Sequence, residues 1–388
     1  MKTIHRTYRY ALLPNKVQQT LLDKHFGCVR YIYNYFLNQH KEQYESLGKP
    51  DNYYAQARSL VALKKQEETI WLKEVNSQTL QFALRCLNTA FTNFFSAKAE
   101  APVYKCRKKK NSFTVPQFAR VEGDRLHFPK FNSGIKINLH RSLQGEIRRC
   151  TLSRTPTGKY FVSILCEVAH TPTNPTGKRC GVDLGIKDFA VTSDDVRFKN
   201  GRYFQTYQRQ LAKAQRHLSR KVKGSNNRNK QRLKVAKIHE KIANTRLNTL
   251  HQVSTQIINE YDIIAVEDLN VKGMMANHKL AKHIADASWG TFLRLLEYKA
   301  AWNDKRFVKI SRWFASSKTC NECGWVNKEL KLSQRVWTCA NGHVLDRDLN
   351  ASKNILKEGL KIISSGTGEN TCRDLHKPSH CGKGVDEA

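Results

Sequence analysis

The apolar residues at the start of the chain first alternate with polar ones and then change to a helical spacing. One face of the opening segment carries, in order, Ile4, Tyr8, Tyr10 and Leu12. This alternation predicts a half-buried strand. Residues 15–100 instead repeat apolar residues every three or four positions, as in Leu80, Leu84, Leu87, Phe91 and Phe94. We therefore predict a strand followed by a helical lobe over residues 15–100.

Short β-type runs return after the helical segment. The stretches "RLHFPKF" (125–131), "GIKINL" (134–139) and "KYFVSILCEV" (159–168) are rich in β-branched and aromatic residues and are separated by Gly and Pro. Such runs are typical of a small barrel or sandwich. The following stretch, "HTPTNPTGKR" (170–179), contains two Pro, three Thr and a Gly, as expected of a linker.

Three acidic residues beyond the linker lie inside or at the ends of predicted elements. Asp183 lies in an apolar strand over residues 180–186, Glu267 ends a strand that starts at Ile263, and Asp348 starts an amphipathic helix. Each alone has an ordinary explanation, such as a turn, a strand end or a carboxylate at a helix N-terminus. Together they can converge at one edge of a mixed sheet, where clustered carboxylates suit Mg²⁺ or Mn²⁺. Two such ions can hydrolyse phosphodiesters.

A separate cysteine pattern predicts a zinc ribbon. Cys320, Cys323 and Cys339 have the spacing Cys-x₂-Cys-x₁₅-Cys. A second Cys-x₂-Cys would place the fourth ligand at Gly342, so His343 is the natural replacement. Four protein ligands would close the site and make it structural rather than catalytic. A degenerate ribbon without metal stays open as an alternative.

The tail of the chain offers no clear element. Residues 365–388 are rich in Gly, Ser and charged residues, and we expect this tail to be disordered. Its two cysteines, Cys372 and Cys381, are alternative fourth ligands for the ribbon.

The charge of the chain points to a polyanionic partner. Lys and Arg number 67 against 33 Asp and Glu, which gives a net charge of +34, and nucleic acid is the commonest large polyanion. Residues 201–250 hold fourteen Lys or Arg and one acid, and "KGSNNRNK" (223–230) divides them into two predicted helices. The candidate nucleic-acid contacts are Lys221, Lys223, Arg228 and Lys230.

Composition also limits the setting of the protein. A content of 40% hydrophobic residues with six Trp argues against a simple packing protein of the ribosomal kind. No run of about 18 apolar residues is present, so we expect no membrane span and no membrane partner. The N-terminus lacks an apolar signal core, and eleven cysteines in such a chain favour reduced thiols. We expect a cytoplasmic, nucleoid-associated protein.

Four blocks carry a family resemblance. The stretches "GVDLGIKDFAV" (181–191), "VEDLNVKGM" (266–274), "CNECG…WTC" (320–339) and "DRDLNAS" (346–352) resemble, in this order, the signatures of the TnpB family. TnpB proteins are RNA-guided DNA endonucleases of bacterial insertion sequences and are related to type V CRISPR effectors. The resemblance extends from residue 1 to about residue 364.

The resemblance implies an α+β multidomain fold. It implies a RuvC-like nuclease domain of RNase H fold (residues 176–314 and 346–364) with an inserted zinc ribbon (315–345). It also implies an N-terminal wedge-like β-barrel (1–14 and 101–175), interrupted by a helical recognition lobe at 15–100. The chain departs from the family where it reads "ANGH" (340–343) in place of a fourth Cys.

The resemblance also assigns roles to residues. Carried over position by position, the catalytic acids are Asp183, Glu267 and Asp348, because the second Asp of "DRD" is the family's ligand and Asp346 is not. Gln81 matches a position that contacts the short motif beside the target.

The resemblance further implies two nucleic-acid partners. These are a noncoding guide RNA transcribed from the protein's own locus and a double-stranded DNA target, which is cut with Mg²⁺ at the acid triad. Two alternatives are a nuclease-inactive RNA-guided repressor and a DNA transposase. The repressor would lack an acid of the triad, and the transposase would need a Tyr nucleophile or a differently spaced acidic triad.

Overall fold

The computed structural model describes residues 3–107, 111–171, 173–331 and 333–366. The chain divides after Ala169 into two compact units. The predicted disordered tail lies outside the described residues from position 367 onward, together with Cys372 and Cys381. None of the described helices combines the length and the apolar character needed to cross a membrane.

The first unit combines helices with a seven-stranded antiparallel sheet. Its described elements are β1 (Thr3–Leu13), α1 (Lys16–Leu47), α2 (Tyr53–Leu63), a 3₁₀ helix (Glu67–Glu74), α3 (Ser77–Phe95), β2 (Asn111–Val115), β3 (Arg120–Glu122), β4 (Arg125–Phe128), β5 (Phe131–Asn138), β6 (Glu146–Arg154) and β7 (Tyr160–Ala169). The strand order is β2-β6-β7-β1-β5-β4-β3. Across residues 3–107 and 111–169 no ladder joins the end strands β2 and β3, so closure into a barrel stays a prediction.

The patterns in the first unit explain its elements. The predicted inward face of β1 is confirmed, since all four of its apolar residues are at most 5% exposed. The helix α1 starts with a capping box between Asn15 and Gln18 and ends at Gly48, whose φ of 64° is left-handed. The stripe of α3 is buried as far as Leu87, but Phe94 is 39% exposed, so the predicted core face is shorter than the helix.

The second unit is built on a five-stranded mixed sheet. Its described elements are β8 (Arg179–Leu184), β9 (Asp188–Thr192), β10 (Arg197–Lys199), α4 (Tyr203–Ser219), α5 (Asn226–Glu260), β11 (Ile263–Glu267), α6 (Val271–Met274), α7 (His278–Ala287), α8 (Trp289–Trp302), β12 (Arg306–Ile310), β13 (Val336–Thr338), β14 (Val344–Asp346) and α9 (Arg347–Ser364). The order is β10-β9-β8-β11-β12. Strands β8, β11 and β12 are parallel, whereas β9 and β10 are antiparallel to their neighbours.

The last helix, α9, packs directly on the central strands. A Cβ atom at Gly181 of β8 would lie 2.1 Å from the carbonyl oxygen of Ser352 and 2.6 Å from the backbone nitrogen of Leu356. A Cβ atom at Gly359 of α9 would lie 2.5 Å from the Cβ of Ala265 on β11. Glycine is therefore required on both the sheet and the helix, because any side chain would push the two backbones apart.

This close packing predicts a large effect of a single methyl group. Gly181→Ala should lower the free energy of unfolding by about 1–3 kcal/mol, because the methyl group meets backbone atoms that cannot rotate away. The matched control is Gly290→Ala in α8, where an added Cβ meets nothing within 4 Å. That change should be neutral or stabilising, since Ala has the higher helix propensity. Equal urea midpoints for the two variants would contradict the proposed packing constraint.

Candidate active site and metal centre

The pairing of β8 with β11 places two of the predicted acids side by side. The two strands are parallel, and Val182 pairs with Val266. Asp183 and Glu267 each follow one residue later, so they lie level with each other at the same end of the sheet. Glu267 is the last residue of β11 and Asp183 the last but one of β8, and both are partly buried while the preceding residues, Val182 and Val266, are buried.

The helix α9 brings the third acid to the same face. Gly181 contacts α9 at Ser352, and Asp183 lies two residues further along the strand, on the same face of the sheet. Asp348 lies four residues before Ser352, which is about one helical turn and therefore the same face of α9. The close contact at Gly181 thus directs Asp348 toward Asp183.

The electrostatics of Asp183 reflect this clustering. Its pKa rises from 3.8 to about 8, chiefly because burial disfavours the charged form and further because Glu267 and Asp348 repel it. The Arg347 side chain partly offsets this rise. Burial also raises the pKa of Glu267, although a hydrogen bond donated by the Ser316 hydroxyl opposes the increase. A divalent cation among these carboxylates would favour their charged form. Clustered carboxylate oxygens are ligands that suit Mg²⁺ or Mn²⁺.

The structure gives the two aspartates of "DRD" different surroundings. Asp346 is the N-cap of α9, and its Oδ1 accepts hydrogen bonds of 3.0 Å from the backbone amides of Asp348 and Leu349. Its Oδ2 lies 3.2 Å from Nη2 of Arg197. Asp348 makes an ion pair of 3.2 Å between its Oδ1 and Nη1 of Arg335. Asp346 is thus engaged by the cap of the helix. Asp348 pairs only with the Arg335 side chain among the contacts described, and a metal ion could take the place of that side chain.

These neighbouring residues were not singled out by sequence reasoning. Arg197 comes from β10, Ser316 follows β12, and Arg335 precedes β13. In a chain with 67 Lys and Arg, an individual arginine carries no signal of its own. Only the fold reveals which of them meet the acids.

The raised pKa of Asp183 predicts a pH dependence of the metal-free protein. Folding moves this pKa from 3.8 to about 8, so the folded state holds the proton more tightly than the unfolded state. The contribution of Asp183 to stability is therefore complete at acid pH and decreases as the pH rises through this interval. Asp183→Asn should remove this decrease in stability at high pH. The variant should melt at a higher temperature than the unchanged protein above pH 8, with little difference below pH 4.

Two controls make the pH measurement decisive. Glu358→Gln removes a carboxylate from α9 outside the acid group and should leave the pH profile of melting temperature unchanged. Added Mg²⁺ should raise the melting temperature of the unchanged protein more than that of Asp183→Asn, because the variant lacks one charged ligand. A melting-temperature difference between Asp183→Asn and the unchanged protein that stays constant with pH would contradict this account.

The predicted zinc ligands are brought together. Their ligand atoms all lie within 4.8 Å of one another. The Cys339 Sγ lies 3.1 Å from Nδ1 of His343, the Cys320 Sγ lies 3.9 Å from the same atom, and the Cys323 Sγ lies 3.7 Å from the Cys339 Sγ. Zinc bonds of about 2.0–2.3 Å in a tetrahedron put ligand atoms about 3.4–3.8 Å apart. Three sulfurs and one nitrogen therefore fit a structural zinc ion.

The shape of the second knuckle explains why histidine supplies the fourth ligand. Each pair of ligands lies on a short turn, or knuckle: the first carries Cys320 and Cys323, and the second carries Cys339 and His343. In the first knuckle the residue with a left-handed backbone is Gly324, with φ of 79°, and it follows the second ligand. In the second knuckle the left-handed residue is Gly342, with φ of 84°, and His343 follows it. The backbone amide of Cys339 donates a hydrogen bond to the carbonyl of His343, four residues later. In the first knuckle the amide of Cys320 donates to the carbonyl of Trp325, five residues later. The second knuckle is thus one residue shorter.

The site also changes the chemistry of one thiol. Burial has the largest single effect on the Cys339 thiol and raises its pKa, but hydrogen bonds from the backbone and ring of His343, the Asn341 backbone and the Cys323 thiol together lower the pKa from 9.0 to about 6. A thiolate at neutral pH is the form that binds zinc.

This geometry predicts the result of metal analysis. The purified protein should hold about one zinc per chain, and His343→Ala should lower that content. His343→Cys should retain the metal, because it places a thiolate at the same backbone position. Gly342→Cys in the His343→Ala background should fail to restore it, since a φ of 84° strains any residue other than glycine. Unchanged zinc in His343→Ala would place the fourth ligand elsewhere.

The basic segment forms the two predicted helices, α4 and α5, but the break between them comes earlier than predicted, at residues 220–225. Lys221, Lys223 and Lys230 are exposed at or beside this turn. Arg228 is partly buried, and its Nη1 donates hydrogen bonds of 2.9 and 2.7 Å to the carbonyls of Leu218 and Lys221. Three of the four nucleic-acid contacts predicted in this segment are therefore open to solvent, while Arg228 stabilises the turn.

The remaining predicted contact, Gln81, lies in the first unit. It is exposed on α3, and its face of the helix also carries Gln78 and Arg85 at helical spacing. Gln78 donates a hydrogen bond of 3.3 Å to Gln117, and the Arg85 guanidinium lies 5.7 Å from the ring centre of Tyr53. The face is polar and aromatic and can form hydrogen bonds with a partner.

Three family models match segments of this chain. The OrfB_IS605 model, described as "Probable transposase", matches residues 163–278. A model of the Cas12f1-like TNB domain matches residues 289–355, which include all four candidate zinc ligands. A model described as a helix-turn-helix domain matches residues 1–49. The described part of that last segment folds as β1 followed by the single helix α1.

Two curated relatives are similar over nearly their whole length, and both carry the name "Putative RNA-guided DNA endonuclease". One, from Streptomyces pristinaespiralis, is 39% identical over 373 residues, which is 95% of this chain and 92% of the relative. The other, InsQ of Escherichia coli K12, is 32% identical over 380 residues, which is 93% of this chain and 94% of the relative.

One solved structure has a similar fold. It is titled "Cryo-EM structure of the Cas12f1-sgRNA-target DNA complex" and matches with a TM-score of 0.56 at 13% identity. The match covers 88% of this chain and 83% of the other chain. The α+β fold with mixed sheets is thus shared with that protein.

Proposed function

Because this chain belongs to the TnpB family, we propose that it is an RNA-guided DNA endonuclease of a transposable element. Family membership rests on relatives that are 39% and 32% identical over more than nine-tenths of the chain. The observation that carries the chemistry is the register of β8 and β11 under α9, which gathers Asp183, Glu267 and Asp348. In a chain of charge +34, such a group of acids favours a nuclease.

A RuvC-like nuclease domain of RNase H fold is the finer form of this proposal. It is supported by the mixed sheet, in which β8 is central and carries the first acid while the parallel neighbour β11 carries the second. The third acid comes from α9, which packs across both strands. On this proposal the zinc ribbon of residues 315–345 is an insertion between β12 and α9.

The three acids are the residues that would hold Mg²⁺ or Mn²⁺. When bound, these ions activate a water molecule and stabilise the leaving oxygen in phosphodiester hydrolysis. The Ser316 hydroxyl orients the Glu267 carboxylate by donating a hydrogen bond to it. Asp346 fixes the first turn of α9 and thereby the direction of Asp348. Arg335 places a positive charge beside Asp348, at the edge where a DNA phosphate would approach.

The zinc ribbon has a structural role on this proposal. Its four ligands would fill the tetrahedral coordination of zinc and leave no open position for a substrate. The ribbon ends at β14, and Asp346, the last residue of that strand, is also the N-cap of α9. Zinc binding therefore fixes the start of the helix that carries the third acid.

Two nucleic acids are the proposed partners. A noncoding guide RNA from the protein's own locus would pair with the DNA target, so that base pairing reads the sequence and the protein reads shape and a short adjacent motif. The exposed lysines at the turn between α4 and α5 would contact phosphates, and such contacts are salt-sensitive and independent of sequence. Gln81 on α3 would contribute to reading the adjacent motif.

The alternatives have less support. A nuclease-inactive repressor would not need three carboxylates gathered at one place, where Glu267 and Asp348 add to the effect of burial and raise the pKa of Asp183 further. The description of one family model names a transposase, but two relatives matched over nearly their whole length are named as endonucleases. The endonuclease is therefore the function that the site and the family favour.

Substitution of the acids tests the endonuclease. Asp183→Ala, Glu267→Ala and Asp348→Ala should each abolish Mg²⁺-dependent cleavage of a plasmid with a randomised flank, while RNA-directed binding to the DNA persists. Asp346→Asn is the matched control, because asparagine caps a helix about as well as aspartate does. It should keep most of the cleavage. Full cleavage by Asp183→Ala would contradict the assignment of the acids.

The same preparation tests the guide. Sequencing of the RNA that co-purifies with the unchanged protein should identify a defined transcript of its own locus, because a charge of +34 attracts and retains structured RNA. Random cellular fragments, together with no targeted cleavage after the locus transcript is added, would contradict RNA guidance.

A further inference from the structure

A groove of about 510 Å³ opens along the solvent-facing side of α1 in the first unit. Its principal lining residues are Gly27, Arg30, Tyr31, Asn34, Tyr35 and Tyr104. Five of these six lie on α1 at helical spacing, so they form one continuous stripe opposite the buried face of the helix. Neither the acid group nor the zinc ribbon uses this groove.

Aromatic rings form the walls of the groove. Tyr31 and Tyr35 have their ring centres 5.9 Å apart with an angle of 28° between the ring planes. Trp71 packs against Tyr31 in a T-shaped arrangement, with the ring centres 5.1 Å apart and an angle of 67° between the ring planes. Tyr35 is 39% exposed and Tyr104 is 45% exposed, so both rings offer aromatic surface to the solvent.

The wall formed by Tyr104 is fixed in place. The Asn34 side chain forms two hydrogen bonds of 2.8 Å with the backbone of Lys105, the residue that follows Tyr104: its Nδ2 donates to the carbonyl, and its Oδ1 accepts from the amide. The Tyr104 hydroxyl donates a hydrogen bond of 3.0 Å to Asn38, and Nζ of Lys41 lies 4.6 Å from the centre of the Tyr104 ring. This wall is thus built before any ligand arrives, which lowers the entropy cost of binding.

A glycine forms the floor of the groove for no reason of packing. Gly27 lies inside α1, where glycine costs up to about 1 kcal/mol relative to alanine. An added Cβ there would meet nothing within 4 Å, unlike the tight contacts at Gly181 and Gly359. The absence of a side chain at position 27 keeps the groove deep.

We propose that this groove binds an unpaired nucleobase, an inference that rests on the proposed function of the chain. Aromatic faces stack on any base, and Arg30 at the rim adds a cation for the adjoining phosphate. Two acids near the groove are engaged, since Glu74 pairs with Lys24 and Glu42 accepts a hydrogen bond from Asn38. The volume of the groove is within the usual range for small-ligand sites. The base comes from the guide RNA or from a displaced DNA strand.

Photocrosslinking separates the two sources of the base. The full-length protein with its guide RNA and target is irradiated after 4-thiouridine is placed in the RNA or 4-thiothymidine in the DNA. Crosslinks to the peptides that contain Tyr31, Tyr35 or Tyr104 are expected in one arm, and that arm identifies the strand. Crosslinks that occur on α4 and α5 but on none of these three tyrosines in either arm would overturn the proposal.

Two variants test the groove in the same complex. Tyr35→Ala removes a stacking surface, and Gly27→Leu fills the floor while improving helix propensity. Each should weaken binding of the identified strand about fivefold to hundredfold, with little change in the slope of log affinity against log salt, because neither variant removes a basic side chain. Replacing Lys221 and Lys223 by Ala should reduce that slope. Tyr44→Ala is the matched control, since this tyrosine is 60% exposed on the same helix outside the groove.

The outcomes distinguish this inference from the proposed function. If both groove variants bind like Tyr44→Ala while guided cleavage proceeds, the groove proposal is wrong and the endonuclease stands. If the unchanged protein shows no guided cleavage but crosslinks at the groove tyrosines, the endonuclease fails and the groove remains a nucleobase site.

Discussion

The arrangement of the acids depends on the close packing of one helix against two strands. The backbone of α9 approaches β8 so closely that a Cβ at position 181 would lie 2.1 Å from a helix carbonyl oxygen. The same helix meets Ala265 of β11 through its own glycine, Gly359. Because helix and strands have fixed repeats, this contact sets the direction of all three acids. An added methyl group at position 181 would force α9 and β8 to shift relative to each other, and with them Asp348 and Asp183.

The ribbon and the last helix form one connected element, which explains why metal ligands precede the acidic pair "DRD" so closely in sequence. Asn350 and Asn354 of α9 are buried, and their amide groups donate hydrogen bonds of 2.7 and 2.6 Å to the carbonyl of Thr319, next to the first zinc ligand. At the other end of the ribbon, Asp346 caps the helix and pairs with Arg197 of β10. Folding of the ribbon is thus coupled to the position of Asp348. The cost of holding three carboxylates together is offset when a cation binds among them.

Much of this arrangement could be predicted from the sequence, because it depends on local periodicity and spacing. The alternation of β1, the acids at strand ends and the cysteine spacing are all local patterns. The arginines near the acids could not be predicted, since their contacts depend on the fold of distant segments in a chain rich in arginine. The role of Arg228 was also hidden, because its hydrogen bonds to the carbonyls of Leu218 and Lys221 require α4 to end at Ser219. The groove on α1 was missed for a similar reason, as Tyr104 is distant in sequence from the tyrosines it joins.

The central claim is that Asp183, Glu267 and Asp348 form one divalent-cation site on the sheet. Iron-directed backbone cleavage tests it most directly, because Fe²⁺ bound in place of Mg²⁺ reduces added hydrogen peroxide to hydroxide and a hydroxyl radical, which cuts the chain near the metal ligands. The account predicts three cuts, at the ends of β8 and β11 and at the start of α9, all suppressed by excess Mg²⁺ and absent from Asp183→Asn. Cuts at only one of these positions, or cuts that excess Mg²⁺ does not suppress, would contradict the shared site.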